Sequence, residues 1–220
     1  MLRKSTLNFL RNLKNNNQRE WLEANRKAYE EAKADFNELV DFLIKELSKV
    51  DSRYGELQAK NCVFRINRDV RFSADKSPYK SNFGAAFSLG GKKSKAASFY
   101  LHIDPSQSFA GGGIWQPESI DLAKIRQEID YNAAEFKTIL KTKKFTTYFD
   151  GLSTENSLKK PPKGYDENNA MIEWLKLKSF VAAKHITETE ILSKGFEKEV
   201  VKIFLAMAPL IAFLNKAAEE

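Results

Sequence analysis

The stretch CVFRINRDVRF, Cys62 to Phe72, changes the chain's apolar period from that of a helix to two. Phe64, Ile66, Arg68, Val70 and Phe72 fall on one side, and Arg65, Asn67, Asp69 and Arg71 on the other. That alternation predicts a strand. Three more β-like runs follow at Asn82 to Leu89, Ser98 to Ile103 and Phe109 to Trp115. Between the first two of these, Gly90-Gly91 followed by Lys92, Lys93, Ser94 and Lys95 reads as a hairpin turn, which makes the arrangement an antiparallel meander. The expected fold class is therefore α+β, with a central, mainly antiparallel sheet over about residues 62–115 packed by N- and C-terminal helices.

The flanking segments carry the helical period. Leu7, Leu10 and Leu13 share one face of a short helix that Asn15-Asn16-Asn17 closes. Asn17 and Glu20 have capping-box spacing, and a stripe from Trp21 through Ala24, Ala28, Ala32, Phe36, Leu39, Leu43 and Leu47 predicts one long helix to about Ser48. After the sheet, helices are expected at Pro117 to Ile129, Ala133 to Leu140, Asn169 to Leu177 and Phe196 to Lys216. Phe145 to Phe149 reads as a short strand and Phe180 to Ile186 as extended chain. With 220 residues, no repeat and no long linker, a single domain over 1–220 is expected.

Composition bounds the function classes. The single Cys62 lies in an apolar setting and reads as a buried structural thiol, and one cysteine with two histidines supplies no structural zinc set. No cofactor is named by the sequence. A reducing, cytoplasmic setting fits this usage. The N-terminal MLRKSTLNFLRNLKNNN lacks a small-residue cleavage site. Ile203 to Leu214, interrupted by Pro209, falls short of the roughly 20 apolar residues of a membrane span and predicts a kinked core helix.

The net charge of +7 has a location. Between Lys60 and Lys95 nine basic residues face only Asp69 and Asp75, so this segment alone carries the whole excess. A second basic block, Lys137 to Lys163, is offset elsewhere. A local basic surface follows, rather than a uniformly basic protein.

Around that segment, RDVRFSADKSPYKSNFGAAF resembles the signature of the microbial family called domain of unknown function 2461. NNNQREWLEANRKAYEE, YLHIDPSQSFAGGGIWQPE and PPKGYDENNAMIEWLKLKSF occur in the order that family shows, so the resemblance covers nearly the full length. It implies one α+β domain and supplies no catalytic residues.

The chemistry must come from the residues themselves. Guanidinium forks suit phosphate and carboxylate oxygens, so Arg65, Arg68 and Arg71 are candidate anion clamps, with Lys76, Tyr79 and Lys80 as rim contacts on a Pro78-containing loop. Asp69 can orient an arginine, and Ser73 lies beside it. Arg68 falls by parity on the apolar face, where it requires either a bulge or a carboxylate partner. In YLHIDP, Tyr100, His102 and Asp104 share a strand face, and His102 or Asp75 is the candidate proton-transfer group if a reaction occurs. Gly111-Gly112-Gly113 offers a weak anion nest, and Trp115 a stacking surface.

Three readings stand together at this level. The expected partner is an anionic small molecule bearing phosphate or carboxylate, without a membrane and without a metal. Sequence-tolerant nucleic-acid binding is an alternative that the basic blocks permit. In the third, the arginines brace the fold by ion pairs and the chain serves as a protein-interaction module.

Overall fold

Leu7, Leu10 and Leu13 recur at helical spacing, and all three are fully buried on α1 (Lys4–Asn15) in the computed structural model, which describes residues 2–219. The remaining elements are α2 (Arg19–Ala24), α3 (Arg26–Ser48), a 3-10 helix (Ser52–Glu56), α4 (Ala59–Cys62), β1 (Phe83–Phe87), β2 (Ser98–Ile103), β3 (Ser108–Ile114), α5 (Ser119–Tyr131), α6 (Ala133–Lys141), α7 (Lys143–Tyr148), α8 (Ile172–Leu175), β4 (Phe180–Ile186), α9 (Glu188–Ile191) and α10 (Phe196–Glu219). The strands form an antiparallel sheet in the order β1-β2-β3-β4, so spatial order follows chain order and the fold is α+β. The sheet takes β4 from well outside the expected 62–115 region. By its internal contacts the chain sorts into two compact units, each assembled from separated segments.

The first unit comprises Met1–Lys93, Tyr100–Ala110 and His185–Lys202. Here α1 packs on α3, and Phe9 meets Trp21 and Tyr29 at ring-centroid distances of 6.0 and 5.9 Å. Buried Asp35 on α3 accepts hydrogen bonds from the Arg3 backbone N–H and the Thr6 hydroxyl, which ties the start of α1 to α3. Phe36 stacks on Phe83 at 5.3 Å and so joins helix to sheet.

Two expectations in this unit are corrected. The single helix from Asn17 to Ser48 is divided at Asn25, whose side chain donates to the Trp21 carbonyl at 2.9 Å and competes with the helical ladder. The capping box does not form either. Gln18 is the N-cap residue, and the Asn17 amide is engaged with Tyr79, donating to its carbonyl at 2.9 Å and accepting from its N–H at 3.0 Å.

The predicted strand at Cys62 to Phe72 is also absent. Cys62 ends α4, and the chain beyond it makes only two isolated antiparallel bridges, Val63 with Ala85 and Asn67 with Tyr79. Backbone bonds from Phe64 to Gly84, Lys80 to Ile66 and Arg68 to Pro78 complete an irregular ribbon whose tip is residues 69–77. Pro78 cannot donate to a ladder, and Phe72, inward by parity, is 96% exposed at the tip.

The second unit comprises Ser94–Phe99, Gly111–Lys184 and Ile203–Glu220. Its aromatic core includes Phe99 stacked on Phe204 at 5.1 Å and Phe136 against Phe213 at 5.3 Å and Trp174 at 5.9 Å. The strand expected at Phe145 to Phe149 is helix α7, because the Thr142 hydroxyl accepts from the Phe145 N–H and starts a helical turn. The helix expected over Asn169 to Leu177 shrinks to α8, since Asn169 turns its side-chain oxygen onto the Met171 N–H at 2.7 Å.

The three glycines of β3 are a packing device. A Cβ on Gly113, at φ +122°, would lie 1.9 Å from the Phe180 carbonyl oxygen. This accounts for the glycine run without an anion nest. On α10, Phe196–Ala217 is long and apolar enough to cross a membrane by length and composition, and Val200, Ile203, Phe204, Met207, Leu210 and Leu214 along it are buried, as in a core helix. Pro209 lies inside α10, which continues to Glu219.

Candidate functional site

The charged tip of the ribbon neutralises itself. Arg71 donates from Nε to Asp69 Oδ1 at 2.9 Å and from Nη2 to Asp69 Oδ2 at 2.6 Å. These bonds hold the Asp69 carboxyl below the ordinary range. Arg68 pairs with Asp75 through Nη1 and reaches Ser73 Oγ from Nη2 at 3.3 Å. Hydrogen bonds from Ser77, with Arg68 adding, lower Asp75 to about 2, so it is ionised at neutral pH. Lys76 donates to the Val70 carbonyl at 3.0 Å. Arg68 thus meets the carboxylate partner that its parity required, although that partner is exposed. Arg65 adds a weaker electrostatic pull on the same Asp69 and makes no ion pair among the described residues.

A different set converges on the half-exposed face of β2 and β3 in the first unit. Leu101 and Ile103 of β2 are buried, which turns Tyr100 and His102 to the other side, as the alternation predicts. Phe109 of β3 joins them, stacking on His102 at 4.8 Å with 10° between the planes and lying 5.7 Å from Tyr100. Phe64 approaches Tyr100 at 6.3 Å, and Lys80 Nζ lies 5.6 Å from the Phe64 ring centre. Gly84 of β1 makes room for this arrangement, because a Cβ there would lie 2.5 Å from Tyr100 Oη.

The imidazole's state follows from its neighbours. His102 Nδ1 is 3.4 Å from Asn82 Nδ2 and 3.3 Å from Tyr100 Oη. An amide nitrogen only donates, so Nδ1 accepts, and the ring's proton resides on Nε2. Burial lowers the His102 pKa, with Asp104 partly opposing and Lys80 adding. At neutral pH the ring is a neutral N–H donor. Burial raises the Tyr100 phenol, which keeps it protonated as well.

Lys80 and Arg65 supply the charge at this face. Burial first, then repulsion from Arg65, lowers the Lys80 pKa. Neither side chain has an ion-pair partner among the described residues, in contrast to Arg68 and Arg71. Tyr79 is only 9% exposed, and its backbone is locked to Asn17. In the second unit Trp115 is 55% exposed, followed by Gln116 in the left-handed region at φ 44°.

Asn82, Phe64 and Phe109 are members of the face that residue-by-residue reading did not single out as site residues. Their signal was weak: Phe109 was legible as a strand residue, but the meeting of Asn82 with His102 depends on how β1 lies against β2. Among the described residues no group of three or more His, Cys, Asp and Glu side chains is gathered as a metal site would require.

The sequence matches the family described as "Conserved hypothetical protein (DUF2461)" over residues 5–213, and the chain belongs to that family. No curated protein and no solved structure matches it.

Proposed function

We propose that this member of the DUF2461 family binds a small molecule carrying a phosphate or carboxylate group and a flat ring. Lys80 and Arg65 take the anion. Tyr100, His102 and Phe109 accept the ring or its polar edge, with His102 Nε2–H as the oriented donor. Arg68, Arg71 and Lys76 stabilise the adjoining ribbon tip in this reading.

The observation that carries it is the pair of adjacent cations, Lys80 and Arg65, without a carboxylate partner among the described residues, beside half-buried aromatic rings. The other two arginines are each held by a hydrogen-bonded carboxylate, Asp75 and Asp69, and Asp69 reaches Arg65 only through its field. A bound anion relieves the repulsion that lowers the Lys80 pKa.

The test is a thermal-shift and calorimetry panel of nucleotides, sugar phosphates and aromatic carboxylates. A ligand at about 100 times its Kd stabilises by about 2.7 kcal/mol, roughly 5–11 °C for a chain of this size. Wild type should show the shift, and folded Lys80→Met and Arg65→Ala variants should lose most of it. A flat panel, or equal shifts in all three proteins, overturns the proposal. The aromatic series beside cations also favours a second reading, a stacking platform for single-stranded nucleic acid. That reading requires affinity falling steeply with salt, which titration of an oligonucleotide at two ionic strengths decides.

A further inference from the structure

The second unit holds a cation whose hydrogen-bonding capacity is not filled. Ile125 and Ile129 bury one side of α5, and Arg126 projects beside them, half-buried. Its Nη2 donates to the Leu177 carbonyl at 3.0 Å, just beyond α8, which anchors the guanidinium. Its Nε is buried and has no hydrogen-bond partner among the described residues.

The obvious neutralising group is committed elsewhere. Asp130 follows one turn later on α5, the spacing at which helices form ion pairs, yet it accepts from Asn169 Nδ2 at 2.7 Å and makes no ion pair with Arg126 among the described residues. Asn169 is held in turn by the Met171 N–H on its Oδ1 at 2.7 Å. Arg126 is therefore fixed in place, charged, and missing an acceptor. A buried, charged donor without a partner is rare in folded proteins, and an oxygen atom from outside the chain is one way to satisfy it.

Tyr165 lies within electrostatic reach of Arg126 and Asp130. It sits in the loop of Pro161-Pro162-Lys163-Gly164, where its N–H bonds the Pro162 carbonyl at 3.2 Å and Gly164 takes φ +93°. Burial raises its phenol, with Asp130 adding and Arg126 opposing, so the hydroxyl stays a donor and lies within the field of both groups. Burial also lowers the Arg126 pKa, with Tyr165 opposing. Exposed Lys159, Lys160 and Lys163 on this loop add positive potential.

We propose that Arg126 forms a second binding site, independent of the Lys80–Arg65 face, that takes the oxyanion of a carboxylate or phosphate. An oxygen atom supplies the acceptor that Nε lacks. The guanidinium fork offers it paired donors.

The test uses the full chain and the Nε–Hε signal of Arg126 in nitrogen-edited NMR, assigned by its absence in Arg126→Lys. Inorganic phosphate and acetate are titrated separately at constant ionic strength into wild type, Arg126→Lys and Lys80→Met. The expected result is a saturable shift of the Arg126 Nε–Hε signal with at least one anion, retained in Lys80→Met. The backbone signals of Tyr165 and Leu177 should follow with the same affinity, at least ~10-fold weaker in Arg126→Lys. Response to phosphate alone or acetate alone identifies which oxyanion the site takes. An Nε–Hε signal unmoved by both anions, or Tyr165 and Leu177 signals that titrate equally in Arg126→Lys, overturns the proposal and leaves Arg126 as a packing residue.

Discussion

Gly84→Ala gives the sharpest test of how the aromatic face is assembled. The added methyl would lie 2.5 Å from Tyr100 Oη and 3.3 Å from its Cζ. Contacts of this kind are most favourable near 3.5–4.0 Å, so the ring tip must withdraw by about 1 Å. Tyr100 has little freedom to do so, being bounded by Phe109 at 5.7 Å, His102 at 6.1 Å and Phe64 at 6.3 Å. The same movement carries Oη away from His102 Nδ1, now 3.3 Å distant and already at the long end of hydrogen bonding. Overpacking of this size costs about 1–2 kcal/mol, or on the order of 2–8 °C in Tm for a chain of this length. Urea unfolding should show a lower midpoint with an unchanged slope. The decisive arm is the double-mutant cycle with Tyr100→Phe, which deletes the atom that clashes first. Placing Gly84→Ala in that background should recover at least about 0.5 kcal/mol. Strict additivity would show that Tyr100 does not lie across Gly84, and the reasoning about the face would fail with it.

Three other perturbations have defined outcomes. Because the folded His102 pKa is lowered, the unfolded chain takes the proton first; its contribution is intact above about pH 6.5 and declines as pH falls through that value toward the folded pKa. His102→Gln should therefore flatten the stability profile just below pH 6.5, and an unchanged slope there would contradict the lowered pKa. Burial pushes the Cys62 thiol up to about 11, so a thiol reagent at pH 8 should be silent on the native protein and react fully once it is unfolded. Asn17→Ala removes both bonds to the Tyr79 backbone and should destabilise by about 1–3 kcal/mol, with faster hydrogen exchange at the Tyr79 amide; unchanged exchange would mean the ribbon is held by other contacts.

Where local periodicity met a matching environment, the sequence was a reliable guide. The alternation of Phe99, Leu101 and Ile103 against Tyr100 and His102 is realised in β2, and the Leu7-Leu10-Leu13 spacing in α1, because each pattern has an apolar side that its neighbours bury. The same reading failed at Cys62 to Phe72, where the alternation was equally regular. A period of two marks a strand only if a partner supplies a ladder, and there Pro78 and the internally paired tip leave two isolated bridges.

By itself, then, the sequence determined the α+β class, the positions of β1, β2 and β3, the family, and the stretch in which the net charge is concentrated. It also placed Lys80, Arg65, Tyr100 and His102 among the candidates. Only the tertiary structure decided which cations have partners. Arg68 and Arg71 find Asp75 and Asp69 a few residues away, whereas Lys80 and Arg65 lie near each other and make no ion pair among the described residues, Asp69 feeling Arg65 only through its field. The physical reason is that charge adds up along a sequence, but pairing depends on distance in space. Asn17 is committed to Tyr79, 62 residues away, and no local spacing encodes that choice.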